Sequence, residues 1–358
     1  MPRRTRYNNI DNVSTDKTLK QFRQWREERR RKKKDYSYVI PNKPPQLDYL
    51  HQNRVETTMT WIGHSTFLIQ YQGLNIVTDP VWAMRMGFQR RLCQPGIPID
   101  KLPPIDVILI SHSHYDHMHL ASIRRLYDRD TTTILVPVGL GRKMQRKGFH
   151  RVQEMSWWER VRIGAVNISF VPTQHWTRRT PFDTNTSHWG GYVLEPVHSQ
   201  THSKAHSKAQ SDRDAKPPVI YFAGDSGYFR GFAEIGSRYD IDTALLPIGA
   251  YEPEWFMTSQ HTTPEEALQA FVDVKAKLMI PMHYGTFRLA DDTAREALDR
   301  LEADRQRRGI AEDKIRLLHH GETLRLPHQA PPQPQPQPPA AVPPQATERI
   351  PQLSGRPH

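Results

Sequence analysis

The sequence predicts a layered α/β domain, of mixed α/β and α+β character, in which short buried strands alternate with helices. From residue 57 onward, short apolar runs rich in β-branched and aromatic residues recur between turn residues, as buried strands do. Longer stretches with helix start and stop signals lie between several of these runs. The chain has 358 residues, of which 37% are hydrophobic, so it can bury a sizeable core.

The chain is predicted to divide into three parts. Residues 1–50 form a flexible basic amino-terminal arm, residues 51–327 form a single folded domain, and residues 328–358 form a disordered tail rich in proline and glutamine. Within the domain, residues 196–218 are polar and low in complexity. That composition favours a disordered insertion over a histidine-rich metal site.

The arm carries most of the positive charge. The net charge of the protein is +12, and residues 17–34 contain ten basic and two acidic residues. Leu19, Phe22 and Trp25 recur at every third position among good helix formers. An anionic membrane surface is one candidate partner of residues 17–34, because polybasic segments are attracted to anionic lipid. The alternative is a solvated face, docked through its aromatic residues, and nucleic acid is not an expected partner.

Cysteine content and hydropathy exclude some classes of protein and indicate a cellular location. The single cysteine, Cys93, excludes an intrachain disulfide framework and any Cys-based zinc site, and it fits a reducing compartment. No apolar run approaches the roughly 18 residues of a membrane-spanning helix, and the basic segment is not followed by a secretory signal. The predicted location is the cytoplasm, with peripheral attachment to a membrane left open. The oligomeric state is not predicted.

The elements of the domain are justified in chain order by apolar periodicity and turn chemistry. A tight turn at Gln72-Gly73 joins two early strands, and Thr263 is a plausible N-cap with two glutamates in the first turn after it. Strands are predicted at 60–62, 66–69, 74–78, 107–110, 131–138, 161–163, 166–171, 192–194, 219–223, 243–248 and 278–282. Helices are predicted at 120–127, 140–147, 264–274 and 293–307, and a closing strand pair at 315–326.

Several apolar runs end in side chains that ligate metals. The densest group follows the run 107–110, and others follow later runs, as a sheet with its site at one edge would produce. Seven residues are enough for two divalent ions. We assign His112, His114 and His175 to the first ion. We assign Asp116, His117 and His283 to the second, with Asp225 bridging both. Imidazole and carboxylate ligands suit Zn²⁺, and iron or manganese also fits such a site.

The net charge of such a dimetal centre limits the class of substrate that it would attract. Two divalent cations, two aspartates and one hydroxide sum to about +1, so an anionic ester such as a phosphodiester is attracted. The alternative for any single histidine is a surface or hydrogen-bonded core residue. The dense cluster at 112–117 favours metal instead.

Longer strings resemble a known family. The five motifs of the metallo-β-lactamase superfamily are matched by Asp79, the 112–117 cluster, His175, Asp225 and His283. Within it, the N-acylphosphatidylethanolamine-hydrolysing phospholipase D group is resembled by the strings TWIGHSTFLIQ, LPPIDVILISHSHYDHM, PTQHWTRRTPFDTN, FAGDSGYF, LLPIGAYEPEWFMTSQHTTPEEA and PMHYGTF. Together these strings cover roughly residues 57–290, whereas residues 83–95 depart from the pattern of the group.

The resemblance implies a four-layer αββα sandwich with a dimetal site at one edge. It also implies hydrolysis of the phosphodiester of an N-acylphosphatidylethanolamine, with release of N-acylethanolamine and phosphatidic acid. Asp116, Asp225 and His261 are carried over as catalytic residues, Asp79 as support for a metal ligand, and Tyr115 and His261 as contacts to the substrate phosphate. Packing for Tyr115 and helix capping for His261 remain the alternatives. His64 is expected to hydrogen-bond within the core.

Two other functions remain open. The same dimetal centre could hydrolyse another anionic ester, such as a sugar-phosphate lactone or a different phosphodiester. Apolar residues in the cleft would favour the lipid, and a small polar pocket would favour the other esters. A noncatalytic envelope-associated protein is the third alternative, and the complete set of ligands argues against it.

Overall fold

Two large sheets organise the protein, whose computed structural model describes residues 5–197 and 216–327. The first sheet has the order β15-β1-β2-β3-β6-β7-β8, the second has the order β14-β13-β12-β11-β10-β9, and β4 pairs with β5 in a small hairpin. The strands are β1 (Thr57–Gly63), β2 (Thr66–Tyr71), β3 (Leu74–Thr78), β4 (Arg85–Met86), β5 (Gln89–Arg90), β6 (Val107–Leu109), β7 (Thr133–Pro137), β8 (Val152–Met155), β9 (Arg160–Ile163), β10 (Val166–Val171), β11 (Gly191–Pro196), β12 (Ile220–Phe222), β13 (Thr243–Pro247), β14 (Leu278–Met282) and β15 (Thr323–Leu326).

Helices cover the outer faces of both sheets. The N-cap Thr263 forms a capping box with Glu266, and this box begins one of the helices on the second sheet. The helices are α1 (Leu19–Arg31), α2 (Leu47–Gln52), α3 (Leu120–Leu126), α4 (Gly141–Gln145), α5 (Gly231–Arg238), α6 (Glu254–Met257), α7 (Pro264–Asp273) and α8 (Ala294–Arg307).

The core has two main parts because the strands of the first sheet bury both faces. In β2, Phe67 and Ile69 point into the layer between the sheets, whereas Leu68 points to the opposite face and packs with Ile123 of α3. The inner layer also contains side chains of the second sheet, and the cluster continues through that sheet to α5, α7 and α8. The order of layers is helix, sheet, sheet, helix. This confirms the predicted αββα sandwich.

The predicted elements agree with the structure over most of the domain. The turn between β2 and β3 has positive φ at Gln72 (51°) and Gly73 (80°), as a tight hairpin of this twist requires. The predicted closing strand pair at 315–326 is wrong, because β15 pairs with β1 and Ile315 makes only an isolated bridge to Met279. The predicted insertion at 196–218 lies for the most part, and the tail at 328–358 entirely, outside the described residues.

The amino-terminal arm lies against the domain, which corrects the expectation of a flexible arm. Helix α1 begins with a capping box at Thr18, and its Trp25 ring stacks on Phe256 at a centroid distance of 5.2 Å. The Trp25 indole N–H donates to Asp291 Oδ2 at 3.0 Å. After the helix, Lys34 forms ion pairs with two glutamates of the domain. The predicted docking through aromatic residues is therefore what the structure shows.

No helix within the described ranges has the length and apolar character needed to cross a bilayer.

The acid sensitivity of folding gives a first test of this packing. His188 is 8% exposed and its ring packs on Trp157 and on Tyr7 of the arm. Burial lowers the pKa of His188 to about 3. Because the unfolded chain binds this proton near pH 6.5, the contribution of His188 to stability is complete above that pH. It is lost as the pH falls toward 3, by up to about 1.4 kcal/mol per pH unit.

We therefore expect His188→Gln to lose stability more slowly than wild type between pH 6 and pH 4. Denaturant unfolding at a series of pH values measures this difference, with His150→Gln, at an exposed position, as the control. Parallel pH profiles for wild type and His188→Gln would contradict the prediction.

Candidate metal centre

The predicted ligands lie at one edge of the sandwich, just beyond the carboxyl ends of strands. His112 follows β6, His175 follows β10, Asp225 follows β12 and His283 follows β14. Strands β12, β13 and β14 are parallel, so the loops after them emerge at the same edge. The sheet therefore delivers residues from distant parts of the chain to one place.

Three backbone positions at this edge have unusual conformations. His64, Asp79 and His283 have φ values of 57°, 33° and 63°, which non-glycine residues rarely adopt. The His283 N–H donates to the backbone oxygen of His64, and the His64 N–H donates to Thr286 Oγ1 at 2.7 Å. Such conformations persist where the surrounding structure holds them, and they concentrate at functional sites.

A first group of imidazoles comprises His112, His114 and His175. Nδ1 of His114 lies 2.9 Å from Nε2 of His112 and 3.2 Å from Nε2 of His175. Burial lowers the pKa of His114 to about 4 and that of His175 to about 3, and burial with neighbouring imidazoles holds the pKa of His112 well below its usual value. All three rings are neutral at pH 7, which is the form that binds metal.

A second group comprises His64, Asp116, His117 and His283. Oδ2 of Asp116 lies 3.0 Å from His64 Nε2, 3.4 Å from His117 Nε2 and 3.6 Å from His283 Nε2. His64 does hydrogen-bond, as predicted, but its partner is a predicted metal ligand. His64 was not predicted to lie at this site.

Asp225 lies between the two groups. Its Oδ2 is 3.1 Å from His117 Nε2 and 3.2 Å from His283 Nε2. On the other side, the same oxygen is 3.9 Å from His112 Nε2 and 3.8 Å from His175 Nε2. This is the position that a carboxylate shared by two ions would take.

Hydrogen bonds behind the site orient several rings. Asp79, fully buried, accepts from Ser111 N–H at 2.7 Å and lies 2.7 Å from His117 Nδ1. Nδ1 of His175 lies 2.9 Å from the backbone oxygen of Gln260, and Nδ1 of His112 lies 2.9 Å from Ser111 Oγ. In each ring the other nitrogen therefore faces the site, as ligating histidines require.

The carboxylates favour positive charge at the second group. Burial works to lower the pKa of His117, but Asp225, Asp116 and Asp79 outweigh it and hold that pKa well above its usual value. Burial also works to lower the pKa of His283, but Asp225 and Asp116 outweigh it and raise that pKa to about 9. Burial is again overcome at both aspartates, whose pKa values are held well below the usual range by the imidazoles. A buried cation is thus stabilised here.

Unpaired buried atoms show that these residues fit divalent ions. His117 Nε2, His283 Nε2 and Asp225 Oδ1 are buried without a hydrogen bond of suitable geometry. In the first group, Nδ1 of His114 lies between the Nε2 atoms of His112 and His175, and Nε2 of His114 is buried without a hydrogen bond. Buried polar atoms are normally paired, so these are better explained as ligands than as core residues. Their predicted role as ligands is compatible with this arrangement, and the identity of the metal stays a prediction.

A cavity of about 590 Å³ opens onto the site, and we call it the catalytic pocket. Tyr115 and His261, the two predicted substrate contacts, both line it, and Nδ1 of His261 lies 3.9 Å from Asp225 Oδ2. The other lining residues are His114, Asp116, Trp176, Arg178, Arg179, Thr180, Pro181, Asp225, Ala250, Met257, Gln260 and Leu289.

Two arginines of the pocket were not predicted as site residues. The Arg179 guanidinium donates to the backbone oxygens of Ser113 and Met118 and lies 4.0 Å from the Tyr115 ring, so it supports the histidine loop. Arg178 is exposed and lies over Trp176. The two adjacent arginines in the string HWTRRT were the sequence signal that could have indicated them, but a pair of arginines is common on any protein surface.

The contact between His64 and Asp116 leads to a prediction about metal affinity. His64→Asn keeps a residue that tolerates positive φ, yet it removes the ring nitrogen beside Asp116. We expect divalent-metal affinity to fall by about 10- to 100-fold, because residues that orient ligands have effects of this size. Competition with a chromophoric chelator measures the affinity, and His150→Asn, at an exposed position, is the control. Unchanged affinity in His64→Asn would contradict the prediction.

Comparison with known proteins shows the family of this chain. A family model described as a beta-lactamase superfamily domain matches residues 74–284. An N-acyl-phosphatidylethanolamine-hydrolyzing phospholipase D, mitochondrial, of Saccharomyces cerevisiae is 34% identical over 254 residues, which are 68% of this chain and 50% of the relative. N-acyl-phosphatidylethanolamine-hydrolyzing phospholipase D 1 of Caenorhabditis elegans is 33% identical over 245 residues, which are 64% of each chain.

A solved structure shows the same fold. The metallo hydrolase Igni18 of Ignicoccus hospitalis superimposes with a TM-score of 0.54 at 23% identity, over 76% of this chain and 99% of that chain. This chain spans only about half to two thirds of the length of the two phospholipase relatives. The family match, in contrast, covers more than half of the chain and contains every predicted metal ligand. The chain belongs to the beta-lactamase superfamily.

Proposed function

We propose that this protein is a dinuclear metal-dependent phosphodiesterase of phospholipase D type, acting on N-acylphosphatidylethanolamine-like lipids. The observation that carries the proposal is the position of Asp225, whose carboxylate lies within 3.9 Å of ring nitrogens from both imidazole groups. Zn²⁺ is the proposed metal. The names of the two phospholipase relatives support the substrate class.

The lining of the catalytic pocket suits an amphipathic phosphodiester. Arg178 and Arg179 place positive charge beside the site, which would attract the single negative charge of a phosphodiester. Trp176, Met257 and Leu289 provide apolar surface in the same pocket. A lipid would place its phosphate at the basic side and its hydrocarbon against the apolar residues.

The reaction requires water to attack phosphorus while the bond to the ethanolamine oxygen breaks. Divalent ions bound by the two groups would supply a nucleophile at neutral pH by lowering the pKa of water. Asp225 would hold the two groups in register, and Asp116 would complete the second. Burial lowers the pKa of His261 to about 3, so its ring is neutral and its Nδ1 is free to contact the substrate. The leaving alkoxide takes up a proton, and phosphatidic acid remains.

Hydrolysis of another anionic ester is the second candidate. It is favoured by the polar part of the lining, in which Thr180 and Gln260 lie beside the arginines. A sugar-phosphate lactone or a small phosphodiester would use the same centre without contacting the apolar side.

An activity panel joined to elemental analysis tests both candidates. The protein is assayed with N-acylphosphatidylethanolamine, phosphatidylcholine, a sugar-phosphate lactone and a generic phosphodiester, before and after metal removal by a chelator. We expect metal-dependent release of N-acylethanolamine. Turnover that survives metal removal would reject the mechanism, and turnover of the lactone alone would select the second candidate.

A further inference from the structure

A second cavity lies on the amino-terminal arm. It has a volume of about 500 Å³ and is lined by Trp25, Arg26, Arg29, Arg30 and Arg288, and we call it the arginine pocket. Four arginines and one tryptophan line it, and among the described residues no carboxylate does. From the sequence, the arginines of α1 were predicted only as part of a basic segment.

The arginine pocket lies near the catalytic pocket, because Trp25 packs in one cluster with Met257 and Leu289. Arg288 lines the first and its neighbour Leu289 lines the second. Trp25 stacks on Phe256, and the adjacent Met257 lines the catalytic pocket. A ligand in the arginine pocket would therefore lie beside the entrance to the site.

The arginines have few partners within the protein. Arg29 pairs with Asp291 at 3.2 Å, but Arg26, Arg30 and Arg288 form no ion pair with any residue that the structure describes. The Arg288 guanidinium lies 3.6 Å from the centre of the Tyr36 ring, and its Nε is buried without a hydrogen bond. Converging guanidinium groups of this kind match the geometry of phosphate oxygens.

We propose that the arginine pocket binds the phosphate groups of anionic lipids at a bilayer surface and so places the catalytic pocket on the membrane that carries its substrate. The benefit to catalysis rests on the proposed function, whereas the binding itself does not. A bilayer is favoured over a soluble phosphate because α1 also exposes apolar side chains: Leu19 is 78% exposed and Phe22 is 40% exposed. Trp255, 41% exposed, lies on the neighbouring helix α6 and donates to Glu28 of α1. Exposed apolar side chains beside a basic face are typical of helices that lie at a lipid interface.

Vesicle sedimentation with the full chain tests the proposal. The vesicles are phosphatidylcholine alone or phosphatidylcholine with phosphatidylglycerol. The test variant is Arg26→Gln/Arg30→Gln/Arg288→Gln, which leaves the Arg29–Asp291 ion pair in place. The control is Arg125→Gln/Arg142→Gln/Arg146→Gln, which removes the same charge from exposed positions on and next to α3 and α4.

We expect wild type and the control to bind the vesicles that contain phosphatidylglycerol and not those of phosphatidylcholine alone. The test variant should bind the former about five-fold less for each arginine removed, or on the order of a hundredfold less in total. If the test variant has a changed circular dichroism spectrum, Arg26→Gln/Arg30→Gln keeps the Arg288–Tyr36 contact and should lose on the order of 25-fold. Equal binding by variants and wild type would overturn the proposal.

Two parallel measurements separate the sources of failure. Inorganic phosphate that raises the unfolding temperature of wild type but not of the test variant, without vesicle binding, would show a soluble-phosphate site and overturn the membrane assignment. Hydrolysis of bis(p-nitrophenyl) phosphate, a soluble diester, should be equal in wild type and the test variant. If wild type hydrolyses no diester but binds vesicles through the arginine pocket, the proposed function fails and the docking surface stands.

Discussion

Replacing Asp225 by asparagine is expected to lower phosphodiester hydrolysis by on the order of a thousandfold or more. The substitution removes one negative charge at the point where both imidazole groups meet, and an amide oxygen neutralises cations poorly. Its volume is close to that of the original side chain, so the circular dichroism spectrum should change little. Elemental analysis should find less metal bound to Asp225→Asn than to wild type.

The matched control for this substitution is Asp299→Asn, which makes the same chemical change on the exposed surface of α8. It should keep both the metal content and the turnover of wild type. His114→Ala removes one imidazole from the group of His112, His114 and His175. It should also abolish hydrolysis while the protein stays folded. Wild-type turnover by Asp225→Asn would remove the basis of the dimetal proposal.

Replacing Asp79 by alanine should lower the free energy of unfolding by about 3–5 kcal/mol, more than any other substitution proposed for this protein. The Asp79 carboxylate accepts from the N–H and Oγ of Ser111 and pairs with Nδ1 of His117, all without contact to water. Alanine would leave these donors buried and unpaired. Denaturant unfolding of the metal-free protein measures the loss directly.

Asp79→Asn separates the effect on the fold from the effect on the metal centre. Its oxygen can still accept from Ser111, but its amide N–H₂ would face His117 Nδ1 and favour the tautomer that carries hydrogen on Nε2. We expect most of the stability to return, yet metal affinity to stay about 10- to 100-fold below wild type. Chelator competition measures the affinity. Full recovery of metal binding in Asp79→Asn would contradict this account of the tautomer.

The position of the site at one edge of the sandwich could be predicted from the sequence, because most of its metal-ligating residues come directly after strands. His112, Asp225 and His283 each come within a few residues of an apolar run, and the ends of neighbouring strands must meet. His64 was missed for a physical reason. It lies in a two-residue turn between β1 and β2 with no predicted ligand near it in sequence. The contacts that place it at the centre, to Asp116 at 3.0 Å and to the His283 ring at 4.0 Å, are both long-range.

Docking of the arm through its aromatic residues was one predicted alternative, but the residues it docks on could not be predicted because they are distant in sequence. Its charges alone indicate a solvated surface, and nothing near Trp25 shows that Phe256 and Asp291 will cover it. The acidic partner of Lys32 is Glu252, a further 220 residues along the chain. Docking of this kind depends on complementarity between two surfaces, which local patterns do not contain. The prediction of a closing strand pair was wrong for a similar reason, because β15 pairs with β1 at the start of the domain.

One contact of the arm bears on how the molecule is made. The side-chain oxygen of Asn9 accepts from His175 N–H and from the Trp189 indole, 166 and 180 residues later in the chain. During translation, Asn9 leaves the ribosome before the two residues that donate to it, and its side-chain oxygen lacks both donors until about half of the 358 residues have been synthesised. Long-range contacts of this type slow folding. A nascent chain halted before His175 would therefore lack both donors to the Asn9 oxygen, and the segment around Asn9 could form these contacts only after residue 189 has emerged.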